Sequence, residues 1–426
     1  MRRVLIINST AIGERGGTGI TMQNLWCDYP KKCILQLRIN VHGAVFDESY
    51  KTISTPVEFC RLPNMLSLKR KREAKGQQTS QVSIIRGVSQ KGIKNIVRDC
   101  AYGILDTWPV RYKSINAVID AFHPEVIYTC AASIRILKTT LYYSNRYDIP
   151  IILHLMDDWP ETLYTASKAS AIFRRIMLNK LKKVTSRSHQ SFAISEALAE
   201  KYEKSLGVRM LPLMNPAERI VERVNEHNCD EVRFVYAGSF GLNRWKSLLG
   251  IAQILDTERK KKHENRFDLY IPTTALTKDM EELFGQYGAV LHAYVAHDEL
   301  VRIYNESDVM VLAESFDVNV AQYTKFSLST KVPEYMGSGN AILAYLPADS
   351  HASSYIKSRK SGFVANNKNE LQYIIGEILT DKQLRYDIAE RALKVVQSEH
   401  SKEAERNKLY ASVQKGISEK RNAQNR

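Results

Sequence analysis

Residues 307 to 345, SDVMVLAESFDVNVAQYTKFSLSTKVPEYMGSGNAILAY, restrict the possible folds more than any other part of the chain. Val309 to Ala313 is an apolar run, short and β-branched enough to be a buried parallel strand. Glu314-Ser315-Phe316-Asp317 and a polar loop follow, and Ser327 to Lys331 lead into Val332-Pro333-Glu334-Tyr335-Met336. Thr330 reads as an N-cap, and Pro333 is tolerable only in the first turn of a helix, where its missing N–H is not needed. Gly337 and Gly339 stop that helix, and Ala341 to Tyr345 is the next strand.

The same stretch has a chemical reading. A strand end facing free helix N–H groups, with Ser329, Thr330 and Lys331 beside them, suits an anion such as phosphate. Glu334, one turn further in, offers a carboxylate to ribose hydroxyls, and diphosphate with ribose means a nucleotide. An ordinary strand–loop–helix with a solvated lysine has the same generic pattern. The detailed wording is more specific. FSLSTKVPEYMGSGNAILAY resembles the donor-site segment of family 4 glycosyltransferases of the GT-B fold, whose usual form is close to F-S-x-P-[ST]-K-x-x-E-Y-[ML]-A-x-G-x-P-[IV]-[IL]-A. The departures are Ser329 for a small residue or Pro, Gly337-Ser338 for small residues, and Asn340-Ala341 for Lys/Arg-Pro. Many members carry two glutamates eight positions apart. Glu334 stands at the second position and Phe326 at the first, so the resemblance implies the ribose carboxylate and leaves the other role to Glu314.

Length and charge set the frame. A chain of 426 residues exceeds one ordinary core, and two domains of about 200 residues each are expected. The formal charge of +15 is one-sided. Residues 1–225 hold 34 Lys+Arg against 19 Asp+Glu, whereas the rest holds 27 of each. The excess is densest over 61–113, with 12 basic and 3 acidic side chains, which implies an acidic partner. Aromatic side chains are not interleaved there, so a solvated insertion accounts for the stretch better than a nucleic-acid site. Contact with an anionic membrane surface is the functional rival. The six cysteines form neither a C-x-x-C pair nor a metal-ligand spacing, which fits free thiols in a reducing cytoplasm. The opening MRRVLIINST imitates a signal peptide, but its apolar run is too short before Glu14 and Arg15. No run approaches the roughly 18 apolar residues of a membrane span.

Arg3 to Asn8 reads as a buried strand, followed by Gly13, Gly16, Gly17 and Gly19 and a helix over Ile20–Cys27, the opening unit of a doubly wound sheet. The spacing differs from the dinucleotide fingerprint, so NAD is not expected. By resemblance the Gly16-Gly17 loop faces the inter-domain cleft of family 4 enzymes. KRKREAKGQQTS reads as a polar loop and Gly92 to Leu105 as an amphipathic helix. Helix 115–122, strand Glu125–Thr129, helix 132–146 and strand Ile149–Leu155 follow, the last running into His154-Leu155-Met156-Asp157-Asp158-Trp159-Pro160-Glu161. Ligands of open α/β sheets collect at such strand ends, although these groups serve equally as caps for the next helix. The resemblance makes this the acceptor side, with Asp157 orienting or deprotonating the acceptor hydroxyl and Asp158 and His154 as alternates. Residues 172–187 place Ile172, Ile176, Met177, Leu181 and Val184 near one face with basic side chains around the rest, a surface helix or one lying on anionic membrane. A strand over Ser191–Ile194, a cap at Ser195 and a further helix follow, and Leu211 to Pro216, with two prolines, reads as a hinge.

In the second half Val232–Ala237 is a strand, Gly238-Ser239-Phe240-Gly241 a turn and Trp245–Leu255 a helix. Arg244 and Lys246 at that helix entry suit a departing diphosphate. The Tyr236-to-Arg244 segment resembles the family's phosphate-binding segment, Gly238 and Ser239 included; Leu249 stands where a second basic residue is usual, leaving that role to Lys331 or Lys246. Strand–helix alternation continues at 267–271, 278–285, 289–291 and 297–305, and His292-Ala293-Tyr294-Val295 matches the place where the family's backbone contacts the base. Helices over 368–379, 381–398 and about 402–417 end the chain, before a frayed SEKRNAQNR.

The expected fold is α/β: by resemblance GT-B, two doubly wound Rossmann-like domains facing across a cleft. The expected divisions are 1–215 for the acceptor domain, 216–398 for the donor domain and 399–426 for a helix packing back on the first. The resemblance implies a retaining glycosyltransferase of surface-polysaccharide type, using a nucleotide-sugar donor, no metal and no other cofactor. Its acceptor would be a glycan or a lipid-diphosphate-linked sugar, met in the cytoplasm or at the inner face of the plasma membrane, with no nucleic acid. A nucleotide-sugar epimerase or hydrolase on the same fold is the nearest alternative, and a non-catalytic membrane- or nucleic-acid-binding scaffold is the other.

Overall fold

The computed structural model describes residues 1–14, 16–39, 50–54, 104, 106–164, 171–217 and 231–415. They fall into two units, Met1–Asn215 with Glu403–Arg426, and Pro216–Lys402. The basic stretch 61–103 lies outside the described residues, as does the helix expected over 92–105 apart from Ile104, and so does the terminal SEKRNAQNR.

The first unit begins with β1 (Val4–Asn8), α1 (Gly17–Trp26), β2 (Ile34–Arg38) and β3 (Lys51–Ser54). It continues with α2 (Lys113–Phe122), β4 (Val126–Thr129), α3 (Ile134–Tyr147), β5 (Ile151–Leu155) and the short α4 (Trp159–Thr162). Next come α5 (Ala171–Arg187), β6 (Ser188–Ala193), α6 (Glu196–Leu206) and β7 (Leu211–Pro212). All seven strands are parallel, in the order β3-β2-β1-β4-β5-β6-β7. Every residue of β1, β2, β4 and β5 is buried, which is why these strands read as continuous apolar runs wherever no polar group interrupts them.

The second unit contains β8 (Val232–Ala237), α7 (Arg244–Lys260), β9 (Asn265–Ile271), α8 (Lys278–Gly285), β10 (Ala289–Ala293), α9 (His297–Asn305) and β11 (Val309–Ala313). After these come α10 (Val318–Thr324), α11 (Lys331–Met336), β12 (Ala341–Tyr345), α12 (His351–Arg359), β13 (Phe363–Ala365), α13 (Lys368–Thr380) and α14 (Lys382–Glu399). Its sheet is also parallel, in the order β10-β9-β8-β11-β12-β13. The order reverses between β1 and β4 in one unit and between β8 and β11 in the other. These are the two places where an open α/β sheet forms a ligand crevice beyond its strand ends. α15 (Lys402–Lys415) returns to the first unit, where Tyr410 sits edge-on to Tyr29 at 5.2 Å and Arg406 donates to the Asn24 carbonyl at 2.8 Å.

Several local expectations need correction. The loop after Glu314 contains α10, and β10 runs through to Ala293, so His292 lies in the strand rather than after it. Leu211-Pro212, expected in a hinge, is an edge strand, where a proline costs no ladder bond. The buried seam of α5 is Phe173, Met177, Leu181 and Val184, while Ile172 is 61% exposed. Phe173 takes the inner position, its ring 5.8 Å from that of Tyr164. Among the described residues no helix is long and apolar enough to cross a membrane.

Candidate functional site

In the second unit the crevice between β8 and β11 is built from buried aromatics outward. Tyr236, the penultimate residue of β8, is fully buried and donates its hydroxyl to the Ser239 carbonyl at 2.7 Å, which fixes the turn after the strand. Tyr335 of α11 donates to the Ala237 carbonyl and accepts from the Ala237 N–H, both at 3.1 Å. These bonds pin α11 beside the end of β8 across a gap of nearly one hundred residues.

Arg244, the first residue of α7, and Glu314, the first residue after β11, meet across the crevice. Arg244 Nε donates to Glu314 Oε2 at 2.9 Å and Nη2 to Oε1 at 3.0 Å, the two-point geometry that suits a guanidinium. Their side chains are 17% and 9% exposed. Burial alone would weaken the hold of Arg244 on its proton; the charge and hydrogen bonds of Glu314 outweigh it, so the pKa stands above the ordinary value. Ser247 donates to the Glu314 carbonyl at 2.7 Å, and Asn243 and Lys246 reach Asp317 at 2.5 and 3.1 Å. Lys246 is therefore committed to a half-exposed pair with Asp317 beside the Arg244 pair.

Lys331 opens α11. Its ammonium lies 4.5 Å from the centre of the Tyr236 ring and donates to the Tyr236 hydroxyl at 3.2 Å. Burial and then the Arg244 charge push its pKa down to about 7, against the pull of Glu314 and Glu334. Gly238 makes this position possible. A Cβ there would stand 1.9 Å from Nζ, 2.4 Å from Cε and 3.0 Å from the Tyr236 hydroxyl. Because Nζ ends a flexible chain, Gly238→Ala is expected to fold normally yet evict the amine. Its melting temperature should stay within about 2 °C of wild type while affinity for a nucleoside diphosphate falls about tenfold. Equal affinity in a calorimetric titration would show that the Lys331 position is immaterial.

Glu334, in the first turn of α11, accepts the Tyr304 hydroxyl at 2.9 Å. Tyr294 is 44% exposed and its phenol is within electrostatic range of Tyr236, Tyr304 and Tyr335, so segment 292–295 borders the same crevice. Val295 beside it is 37% exposed. His292 is anchored to the fully buried Asp268 at 2.9 Å and stacks on Tyr270 at 4.6 Å.

The N-terminus of α11 offers few free donors. The helix has only six residues, and Thr330 makes no side-chain cap. The Lys331 N–H is turned to Ser329 Oγ at 3.4 Å and that of Val332 to the Ser329 carbonyl at 2.9 Å. Pro333 has no N–H at all. Ser329 thus takes up two of the donors that this end of the helix would otherwise offer. The turn after β8 is better provided. Leu242 and Asn243 both adopt left-handed backbone (φ 59° and 57°), and among the described residues the N–H groups of Ser239, Phe240, Leu242 and Asn243 have no intramolecular acceptor. Consecutive N–H groups in such a turn form an anion-binding concavity.

In the first unit Asn8, at the end of β1, accepts from the Cys130 N–H at 2.7 Å and so ties together the two strand ends that flank the switch point. The loop from Ala11 to Gly19 is held from below: Glu14 accepts from the Ala11 N–H and from Arg38, both at 2.9 Å, and Gln36 accepts from Ile12 at 2.9 Å. Gly16, at φ 131°, and Gly17 are exposed on top of it. The three acceptor-side candidates separate clearly. His154 is fully buried; its Nε2–H donates to the Leu213 carbonyl at 3.0 Å, so Nδ1 accepts from Tyr128 at 2.7 Å. Burial lowers its pKa to about 3, which keeps the ring neutral. Asp158 is 3% exposed and is taken by Lys201 and by the Tyr202 hydroxyl at 2.6 Å. Only Asp157 of the three is partly exposed, close enough to Cys130 for its charge to add to the burial that lifts that thiol to about 12.

Among the described residues no group of three or more His, Cys, Asp or Glu side chains is placed to hold a metal ion. Sequence reasoning missed Tyr304, which holds Glu334, and placed Tyr236 in a motif without the role it has here, which is to hold Lys331.

Residues 217–409 match a family described as glycosyl transferase-like. No curated protein matches the chain. Among solved structures, trehalose-6-phosphate synthase from Burkholderia multivorans superposes with a TM-score of 0.64 at 11% identity, covering 100% of this chain and 99% of that one. Sucrose-phosphate synthase from Thermosynechococcus elongatus gives 0.61 at 12% identity, covering 98% and 100%. Anabaena HepE in complex with UDP and glucose gives 0.60 at 13% identity, covering 97% and 100%. At such identities the likeness is one of fold, and that fold is the GT-B fold of glycosyltransferases.

Proposed function

We propose that this protein is a glycosyltransferase that moves a sugar from a nucleotide-sugar donor to a glycan or lipid-linked acceptor, with retention and without a metal, in polysaccharide assembly. The observation that carries the reading is the gathering of Arg244, Glu314, Lys331 and Glu334 at the β8/β11 switch point, beside a turn with unpaired N–H groups. The diphosphate belongs against that turn, Arg244 and Lys331, and the ribose against Glu334. The proposed donor contacts in the second unit are Gly238, Ser239, Arg244, Lys246, Tyr294, Val295, Glu314, Ser329, Thr330, Lys331 and Glu334. UDP in the HepE structure supports a nucleotide donor.

As the glycosidic bond to the diphosphate breaks, negative charge grows on the leaving oxygens, and fixed cations in a water-poor crevice stabilise it. Lys331 then acts as a charge held in reserve, fully protonated once the anion is beside it. In the first unit Asp157 orients the acceptor hydroxyl or takes its proton, with Gly16 close to the acceptor. His154 and Asp158 shape the ground on which Asp157 stands. The basic excess of residues 1–225 favours an acceptor on an anionic membrane surface at the inner face of the plasma membrane.

A thermal-shift screen over UDP-, GDP- and ADP-sugars tests the donor half. A matching donor at a hundred times its Kd should add about 2.7 kcal/mol of stability. No shift with any of them would leave the reading without support. Sugar release in the absence of acceptor would favour a hydrolase, and isomer formation an epimerase.

A further inference from the structure

The geometry points to Tyr304 as a positioning residue for nucleoside recognition: its hydroxyl holds the Glu334 carboxylate in the orientation in which it meets a ribose. The inference rests on the nucleotide-sugar reading of the second unit and adds to it a residue outside the two motif segments, 236–244 and 326–345. Tyr304 is the penultimate residue of α9, the helix that begins just after Tyr294-Val295, and is 1% exposed. Three contacts leave its ring one position. Its hydroxyl donates to Glu334 Oε1 at 2.9 Å, its carbonyl accepts from Asn340 Nδ2 at 2.6 Å, and its ring stands edge-on to Tyr335 at 5.8 Å and 89°. Tyr335 and Asn340 belong to α11 and the turn that ends it, so the whole frame moves with Glu334.

Packing alone does not call for this hydroxyl. A phenylalanine would fill the same space, whereas a tyrosine brings a polar atom and a neighbouring carboxylate charge out of water. Burial and the charge of Glu334 keep the phenol firmly protonated, so it is a donor at every working pH. A carboxylate whose orientation is fixed in advance is pre-organised for hydroxyl donors, and a site of that kind penalises a ligand lacking them.

The test compares UDP, GDP and ADP, each with its 2′,3′-dideoxy counterpart, by calorimetric titration of wild type, Tyr304→Phe, Glu334→Gln and the double variant. Wild type should prefer the ribonucleotide of its own base by about a hundredfold. In Tyr304→Phe that preference should fall below about tenfold, with affinity for the dideoxy form nearly unchanged. The double variant should lose no more than Glu334→Gln alone. An equal loss for both forms would make Tyr304 merely structural and overturn the inference. No ribose preference in wild type would overturn it together with the assignment of Glu334, a distinct outcome. Should Tyr304→Phe fail to fold, site-specific 3-fluorotyrosine keeps the shape and strengthens the donor. The ribose preference should then rise, and an unchanged preference counts against the role.

Discussion

Replacing Arg244 by alanine should lower turnover about 10²- to 10³-fold, the size of effect seen when a fixed charge-stabilising donor is removed from a transition state. The reason lies in how the guanidinium is held. Glu314 binds the Nε and Nη2 edge, and no acceptor for Nη1 occurs among the described residues, so the orientation is set before any ligand arrives. Pre-set charge needs no reorganisation as the bond to the diphosphate breaks. The substitution has a confounding effect, because Glu314 would be left buried and unpaired, a fault worth about 3–5 kcal/mol. Arg244→Met combined with Glu314→Leu separates the two consequences. Replacing a buried pair by apolar side chains of similar volume is often neutral for stability. The double variant should therefore melt near wild type and still lose the same turnover. If it melts normally and keeps more than about a tenth of wild-type activity, the Arg244 charge is not what drives departure of the diphosphate.

The pairing of Arg244 with Glu314 also marks the limit of what a linear reading delivers. Each residue was legible as a site candidate, Arg244 from a glycine turn and a helix entry, Glu314 from the end of an apolar strand. That they lie 70 positions apart in the chain and share two hydrogen bonds is a property of the β8/β11 switch point alone. The strands themselves were legible where burial on both faces leaves a run of apolar residues, as in β1, β5, β8 and β11. β2 was not, because its two polar residues break the run. Gln36 and Arg38 are each 1% exposed and are there to satisfy Ile12 and Glu14 under the glycine loop. Their burial serves a polar need two strand positions apart, and no hydropathy pattern shows that.

At the end of β5 the sequence located the strand end but not the partners of the polar residues there. His154 and Asp158 stand beside Asp157, and composition cannot rank the three. Their partners decide the matter: Leu213 and Tyr128 for the histidine, Lys201 and Tyr202 for the aspartate, all brought in by tertiary packing. A buried polar group with every atom engaged stabilises its own unit and has nothing left to offer a substrate. The same logic demotes the short helix α11 as an anion site and promotes the turn after β8, whose left-handed Leu242 was invisible in the sequence.

Lys331 gives the second large effect, and its sign is opposite for stability and for binding. The amine sits on the Tyr236 ring near Arg244, with Glu314 already engaged by that arginine and Glu334 by Tyr304. Its pKa falls from 10.5 to about 7. Between those values the folded, ligand-free protein binds fewer protons at this side chain than the unfolded chain does. Stability therefore rises with pH across that window, and the full cost of the charge is felt below pH 7. Lys331→Met should raise the melting temperature at pH 6.5 by roughly 2–6 °C, as relief of about 1–2 kcal/mol of desolvation predicts. Donor affinity should move the other way. The diphosphate of a nucleotide sugar does not titrate in this range and needs the charged amine, so above about pH 7 wild-type affinity should fall by up to tenfold per pH unit. Lys331→Met should bind weakly and without that slope. Titrations from pH 6 to 9 in buffers of differing ionisation enthalpy read both the slope and the proton taken up. A flat wild-type profile, or one that Lys331→Met reproduces, would mean that the charge meeting the diphosphate comes from elsewhere, and the gain in stability would then have to be explained by packing against Tyr236 alone.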